Sequence, residues 1–538
     1  MNLLKRIPFR LFTPLLFIGL FCGTSANAAD ELSNENYPKP IFENVLPSLN
    51  FHKDLRFHGK STEEIKSQLE IEEGHDATAA SDSPNRSRSQ RIKKIFKEYR
   101  CPIAIFGLIV SSVAVGVIWN ALPKDDPTGL CKIPKTPISA ADLAENIFNE
   151  TKVLNINVRM NQLEWENLKL EAAVSASEKG IGEEILPSFT WYDATSNIDG
   201  YEEENTKIRK KSWYGSFSIT KPGLKLKNTV YNPDISDDFR TNPMAKISKF
   251  TLNNSVQDIS YLKQCVAYKI LETVGEIEVP HCQLSHVCVN KERMGLYVSI
   301  EPLVQAFFER HLGHNDIALY EGDVTGNGKL WERGKSDFYP DGIDTYEYKK
   351  GDRQWEQSQE FHDLLSLIDR PDDAQLSPDE EEMVERILDM PKILKFFAGE
   401  QLVHHWDGYA WNNNNNFFYY NYENHKIAFL PWGTDQTLGT ASLLSMSSAD
   451  GRIFKLILKS ETFRMQLWQE FEAMRENLRL ELPSLFQFID EQMEIMKPWF
   501  YGDEEQIAVE KSIKLKRVLE NMAYSKEKFD ESWMVNRL

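Results

Sequence analysis

An uncharged apolar run from Pro102 to Leu122 constrains this chain most, because its length matches the hydrocarbon core of a bilayer and it reads as a transmembrane helix over residues 102–122. Everything beyond it must then fold as a separate body. Arg86, Arg88, Arg91, Lys93, Lys94, Lys97 and Arg100 crowd its N-terminal flank. The positive-inside bias places that flank in the cytoplasm and the long remainder outside. The N-terminus argues the other way. Lys5, Arg6 and Arg10 precede an apolar run, Leu11 to Phe21, and the small-residue site Ala26-Asn27-Ala28, so residues 1–28 read as a signal peptide. Cleavage there would start the next segment outside. The basic flank adjoins the longer span and carries more weight, so the expectation is a membrane-anchored protein with an exocytoplasmic or cell-surface domain.

Residues 29–101 are polar, rich in Ser, Asp, Glu and Lys, and lack sustained periodicity, so they read as a disordered linker. The net charge of -19 argues against a general nucleic-acid binder, which needs a concentrated positive surface. Cys22 falls in the signal and Cys101 at the membrane edge. Cys131, Cys265, Cys282 and Cys288 remain, enough for two disulfides in an oxidising compartment, with the pairing open. Cys282 and His286 lie on a strand-like segment, so a paired or buried cysteine is a better reading than zinc.

The pattern becomes globular from about residue 135 and stays so to 538. Strand-like runs appear at 153–158 (VLNINV), 212–219 (SWYGSFSI) and 246–254 (KISKFTLNN). A helix follows, with Asp258 as its cap, Ile259, Leu262, Val266, Ile270 and Val274 at helical spacing, and Gly275 as its stop. Strands CQLSHVCV and GLYVSIE come next. Beyond about residue 355 the chain reads as mainly helical, interrupted by NNFFYYNYENHKIAFLPW, a β-hairpin. The fold class is α+β.

Asp407 and Asn412 follow His405 and Trp406 at the end of an apolar helix, and Asp435 comes after the hairpin. A protein-kinase catalytic loop places an Asp and an Asn five apart, one to orient the attacking hydroxyl and one to hold metal, with a second metal-binding Asp further on. Here Trp406 replaces the usual Arg, and no Phe-Gly follows Asp435. Spacing alone therefore favours an ordinary helix end followed by the Asn412 to Asn416 loop. Two weaker signals fade. The segment from Asp323 starts like a calcium loop but has Gly334 at its twelfth position, and Asn85, Asn149 and Asn253 lie in sequons that arise often by chance.

A longer resemblance strengthens the kinase reading. TLNNSVQDISYLKQCVAYKILETVGEIEVPHCQLSHVCVNKERMGLYVSIEPLVQAFFERHLGHNDIALYEGD, HHWDGYAWNNNNNFFYYN and FLPWGTDQTLG, collinear across about residues 150–445, resemble the CotH family of spore-coat and secreted kinase-like proteins. The resemblance implies an atypical protein-kinase-like two-lobed fold, with a strand-rich N-lobe over about 150–350 and a mainly helical C-lobe over about 355–538. It also implies transfer of phosphate from ATP to Ser or Thr of a protein substrate, with Mg²⁺ or Mn²⁺. Carried over, Asp407 is the catalytic Asp, Asp435 the metal-binding Asp, and Asn412 and Asn416 are alternatives for the metal-side amide. Lys221 would contact the ATP phosphates, with Lys225 and Lys227 as close alternatives. Glu301 would hold that lysine or the nucleotide, or end a strand. Trp432 would pack the nucleotide site or the core. Two departures stand out: the family pattern Trp-Asp-x-Asp has Gly433 as its second residue here, and Gly215 is the one glycine in IRKKSWYGSFS. They keep open an inactive surface binding or adhesion protein, and transfer of AMP or another group by the same site.

Overall fold

The computed structural model describes residues 129–171, 189–211, 216–229, 247–322, 335–371, 373–440 and 442–525. The segments read as signal, linker and transmembrane helix, together with Gly215 and the stretch from Asp323 to Gly334, lie outside the described residues. No described helix is long and apolar enough to cross a membrane.

The elements in order are α1 (Ala140–Asn146), β1 (Leu154–Met160), α2 (Gln162–Leu170), β2 (Tyr192–Ile198), β3 (Tyr201–Lys210), β4 (Leu224–Asn228), β5 (Lys249–Asn253), α3 (Lys263–Thr273), β6 (Cys282–Val289), β7 (Glu292–Ile300), α4 (Gln305–Leu312), β8 (Ile317–Glu321) and β9 (Glu347–Lys350). Then come α5 (Gln359–Leu367), α6 (Pro378–Ile387), α7 (Met390–Leu402), β10 (Asn416–Asn421), β11 (Lys426–Pro431), α8 (Arg452–Ile457), α9 (Glu461–Met496) and α10 (Glu504–Tyr524). The chain is α+β.

The first seven strands close into a barrel in the order β1-β2-β3-β4-β5-β7-β6, sealed by the parallel pair β1 and β6. Alternation along the strands gathers Leu154, Ile156, Val158, Ile208, Leu224, Leu226 and Leu252 into one core, with Trp165 and Leu168 of α2 packed on it. The same alternation turns Arg209 and Lys225 to the other face, directly opposite one another in the β3–β4 register.

A second sheet, β11-β10-β8-β9, is antiparallel throughout. The FFYY run of β10 is buried on both sides. Phe418 and Tyr420 join the large helical core with Phe429, whereas Phe417 and Tyr419 pack with Phe307 and Phe308 of α4. That double burial is why the hairpin is apolar without a break.

Several expectations need correction. Residues 216–219 are not strand, and the strands that do form nearby, β2 and β3, were unread because they are polar. Their turn, Asp199-Gly200, has φ of 50° and 103°. This is the Asp-Gly signature of a tight hairpin. Helix α3 starts at Lys263, not at Asp258. Asp258 caps it from a distance by accepting the Lys263 N–H at 2.9 Å, and Ile259 is exposed. Strands β8 and β9, inside the stretch assigned to the N-lobe, pair with the hairpin sheet. The closed barrel is not what a two-lobed kinase arrangement leads one to expect.

The four cysteines pair as Cys131–Cys288 and Cys265–Cys282. The first joins residues 157 apart in sequence, so it restricts a long loop of the unfolded chain. Replacing both Cys131 and Cys288 with Ser should cost about 2–5 kcal/mol of stability. A melting temperature unchanged under non-reducing conditions would contradict this.

Candidate functional site

The site begins with a buried acid in an apolar helix. Glu400 lies near the end of α7 with 1% of its surface exposed. Its side chain accepts the backbone N–H of Tyr409 at 3.1 Å and of Ala410 at 3.0 Å, and its carbonyl accepts that of His405 at 2.8 Å. The chain from 405 to 410 therefore wraps around one carboxylate. Gly408 is required there, because a Cβ would fall 1.9 Å from Glu400 Oε1.

Asp337 braces the same loop from the opposite side. It accepts the Tyr409 hydroxyl at 2.6 Å, the Phe338 N–H at 2.8 Å and the Arg452 N–H at 3.1 Å. Burial pushes its carboxyl up to about 6, against the pull of the Tyr409 hydrogen bond.

Between these braces sits Asp407, 7% exposed. Its carboxylate accepts side-chain amide hydrogens from Asn412 at 2.5 Å, Asn415 at 2.9 Å, and Asn414 at 3.2 and 3.3 Å to its two oxygens. Its carbonyl also accepts the Asn415 N–H at 2.9 Å. The asparagine run thus organises Asp407. Asn416 does something different. It donates to the Asn414 carbonyl at 2.8 Å, and its own Oδ1 is buried with no hydrogen-bond partner among the described residues.

Asp435 stands in a short 3-10 turn, Thr434–Gln436, that Thr434 ties to the Gln264 carbonyl of α3 at 3.4 Å. Burial raises the Asp435 carboxyl, while the positive charge of Lys211 pulls it back and His405 adds a weaker pull. Lys211, just past β3, donates to Asn253 at 2.6 Å. Burial pushes its ammonium down to about 8, opposed by Asp435 and Glu321. Lys225 is likewise lowered by burial and feels Glu321. Lys211 and Lys225 thus both feel the charge of Glu321 of β8, which itself pairs with Lys349, and Lys211 also feels Asp435.

Lys221 is placed elsewhere. Its ammonium lies 4.7 Å from the Tyr261 ring centre and 5.1 Å from that of Tyr297. Burial pushes it down to about 7, and its charged neighbours are Glu504 and Arg293. Glu301 is not among them. It accepts the His281 N–H at 3.0 Å and pairs with Arg310, which fixes the end of β7 to α4. Lys227 lies over Trp191. Trp432 meets Phe417 edge-on at 5.2 Å and packs partly against both cores around the hairpin. The structure thus brings Asp407 together with Asn412, and Asp435 feels the charge of Lys211, while Lys221 and Glu301 belong to other contacts. Lys211, Glu400, Asp337 and Gly408 went unread in the sequence. A glutamate inside FFAGEQL, on an otherwise apolar helix, was the available signal for Glu400.

Gly433 is explained by its neighbour. Its φ is +60°, and a Cβ would fall 2.5 Å from Asn415 Cγ. Asn415, bound to Asp407, occupies the space that a side chain at 433 would need.

Among the described residues no group of three or more His, Cys, Asp or Glu could hold a metal ion. Of the metal-side residues expected from the sequence, Asp435 offers a carboxylate and Asn416 a buried Oδ1 without a hydrogen-bond partner among the described residues. Such a sparse oxygen set suits Mg²⁺ or Mn²⁺ that draws its remaining ligands from phosphates and water, rather than a cage built wholly from protein.

An α+β chain with an acid-bearing loop, an aromatic hairpin and a second acidic turn in this order has the layout of the kinase-like proteins. The family model described as CotH kinase protein matches residues 207–497, more than half of the length, and the chain belongs to that family. No curated protein matches.

The contact between Gly433 and Asn415 can be measured. Gly433→Ala should destabilise the domain by about 1–3 kcal/mol through clash and left-handed backbone. The loss should shrink in an Asn415→Ala background, and equal losses in both backgrounds would exclude the steric account.

Proposed function

We propose that this protein is an ATP-dependent phosphotransferase acting on Ser or Thr of a protein substrate, with the barrel as the nucleotide-side lobe and the helical body as the acceptor-side lobe. The observation that carries the reading is the Asp407 carboxylate, held in one orientation by asparagine amides on a doubly braced loop. Phosphoryl transfer asks chiefly for positioning and charge compensation, and this loop supplies the first.

In the step, the acceptor hydroxyl oxygen bonds to the γ-phosphorus of ATP as the bond from that phosphorus to its bridging oxygen breaks. ADP leaves with the electron pair, and Asp407 takes the hydroxyl proton. Asn412 turns away from Asp407 to admit the hydroxyl, a rearrangement compatible with catalytic loops that tighten only around substrate. Lys211, with Lys225 beside it, takes the phosphate-contacting role that the resemblance gave to Lys221. Asp435 with Asn416, or with Asn412 once turned, would hold Mg²⁺ or Mn²⁺, which when bound neutralises phosphate charge.

The two disulfides favour folding in an oxidising compartment and so support an exocytoplasmic domain, tethered through residues 102–122. Gly433 favours a second reading, an inactive binding or adhesion protein, because one acid of the metal turn is missing. Transfer of AMP would use the same residues.

Intact mass of the detergent-solubilised full chain and a Ser/Thr substrate after incubation with ATP and Mn²⁺ separates the three. Phosphate, nucleotide or no addition is the readout. Asp407→Asn and Asp435→Asn should each lower transfer at least about 100-fold with melting behaviour retained. Wild-type rates in both would overturn the proposal. The pH dependence adds a second test. As pH rises through about 8, Lys211 loses its charge, so ATP affinity should fall; Lys211→Arg should remove that fall because guanidinium stays charged. Stability runs oppositely for this group, rising between about 8 and the ordinary lysine value because the unfolded chain then binds more protons. An affinity flat across this range in the wild type would remove Lys211 from the site.

A further inference from the structure

A cleft of about 670 Å³ opens beside the Asp407 loop, between that loop, the segment 335–339, the end of α5 and helix α8. Its walls carry Lys335, Arg370, Arg452, Lys455 and Lys459. Its acids are Asp337, Asp369 and Asp450. Cations thus outnumber acids there, the reverse of a chain with 62 basic and 81 acidic residues. A local reversal of this kind concentrates anions against the field of the whole protein.

The cleft is continuous with the Asp407 loop through adjacent residues. Asn412 donates to Asp407, and its Oδ1 lies 3.4 Å from Lys335 Nζ. Asn413, the next residue, lines the cleft with φ at +51°, and its Oδ1 is buried with no hydrogen-bond partner among the described residues. The positive φ turns the loop so that neighbouring side chains serve the two places. The cations are held but not all tightly neutralised. Lys335 pairs with Asp450, Arg370 with Glu380, and Arg452 with Asp369 and, at 3.8 Å, Asp337, while Lys455 lies 3.8 Å from Asp450 with 43% of its side chain exposed.

We propose that this cleft is a specificity subsite for an acidic side chain of the protein acceptor, lying within a few residues of the hydroxyl that faces Asp407. The assignment rests on the phosphotransferase reading. An extended segment advances about 3.3 Å per residue, so a carboxylate on a nearby residue enters the cleft while the hydroxyl stays at the loop. Lys335, Arg452 and Lys455 receive that carboxylate. Lys335 then exchanges part of its contact with Asn412 and Asp450 for substrate, which frees Asn412 to turn.

The test uses the full chain in detergent with two fluorescent Ser peptides of equal length, one flanked by Glu and one by Lys, read by anisotropy without nucleotide and by mass after ATP and Mn²⁺. The wild type should bind the Glu peptide more tightly, and Lys455→Glu should weaken that binding about tenfold without weakening binding of the Lys peptide or of ATP. Equal affinity for the two peptides, or a Lys455→Glu effect on ATP in place of the peptide, overturns the subsite. Selective binding of the Glu peptide without any transfer supports the subsite and sinks the phosphotransferase reading. Transfer without preference for the Glu peptide does the reverse.

Discussion

A carboxylate buried in an apolar helix is costly unless donors surround it, and Glu400 meets that demand with the backbone N–H groups of Tyr409 and Ala410, with His405 Nδ1 3.2 Å from one of its oxygens. The consequence is geometric. The donors come from Tyr409 and Ala410, so the chain after α7 must curl back over its own last turn, and Gly408 must lack a side chain for the curl to close. Asp407 lies inside that curl. Its position is therefore set by the hydrogen-bond needs of a different acid, one that touches no reacting atom. Asp337 adds a second anchor through the Tyr409 hydroxyl, so the loop is gripped at one tyrosine from two sides.

The asparagine run extends this logic. An acid this buried needs donors, and Asn412, Asn414 and Asn415 provide them without bringing positive charge. Lysines in the same places would hold Asp407 in ion pairs and, on the proposed reading, resist exchange with a substrate hydroxyl. Amides exchange at lower cost. The price of the arrangement appears at Gly433, where Asn415 takes the room that the family pattern gives to an acid. The asparagine run and the missing acid are thus one feature seen from two sides of a contact.

Much of this was legible in the sequence, and unevenly so. The hairpin, α3, the helical second half and the Asp407 to Asn412 loop could be read because each rests on a local pattern: alternation, helical spacing, or a fixed interval. Strands β2 and β3 could not, because their hydrogen bonds within the barrel stabilise residues as polar as YEEENTKIRK, and only the Asp-Gly turn betrayed them. Pairing between Cys131 and Cys288, or β8 with β10, depends on contacts far apart in the chain, which no local pattern encodes. The choice of Lys221, with Lys225 and Lys227 as its alternatives, misses Lys211 for the same reason. Several lysines follow one another around β3 and β4, and which one feels Asp435 depends on how the barrel face meets the second sheet.

That meeting also explains why the electrostatics are sparse. Burial lowers the ammonium groups of both Lys211 and Lys225, and the opposing pull comes from Glu321 on both and from Asp435 on Lys211, while Lys349 pairs with Glu321. On the proposed reading a triphosphate would add negative charge beside these two lysines, and a divalent cation would offset part of it. With a single carboxylate at the turn, a cation held there would need phosphate oxygens and water to complete its ligands. On the proposed reading nucleotide and metal would therefore enter as a pair, because a cation at Asp435 would depend on phosphate oxygens for the rest of its ligands.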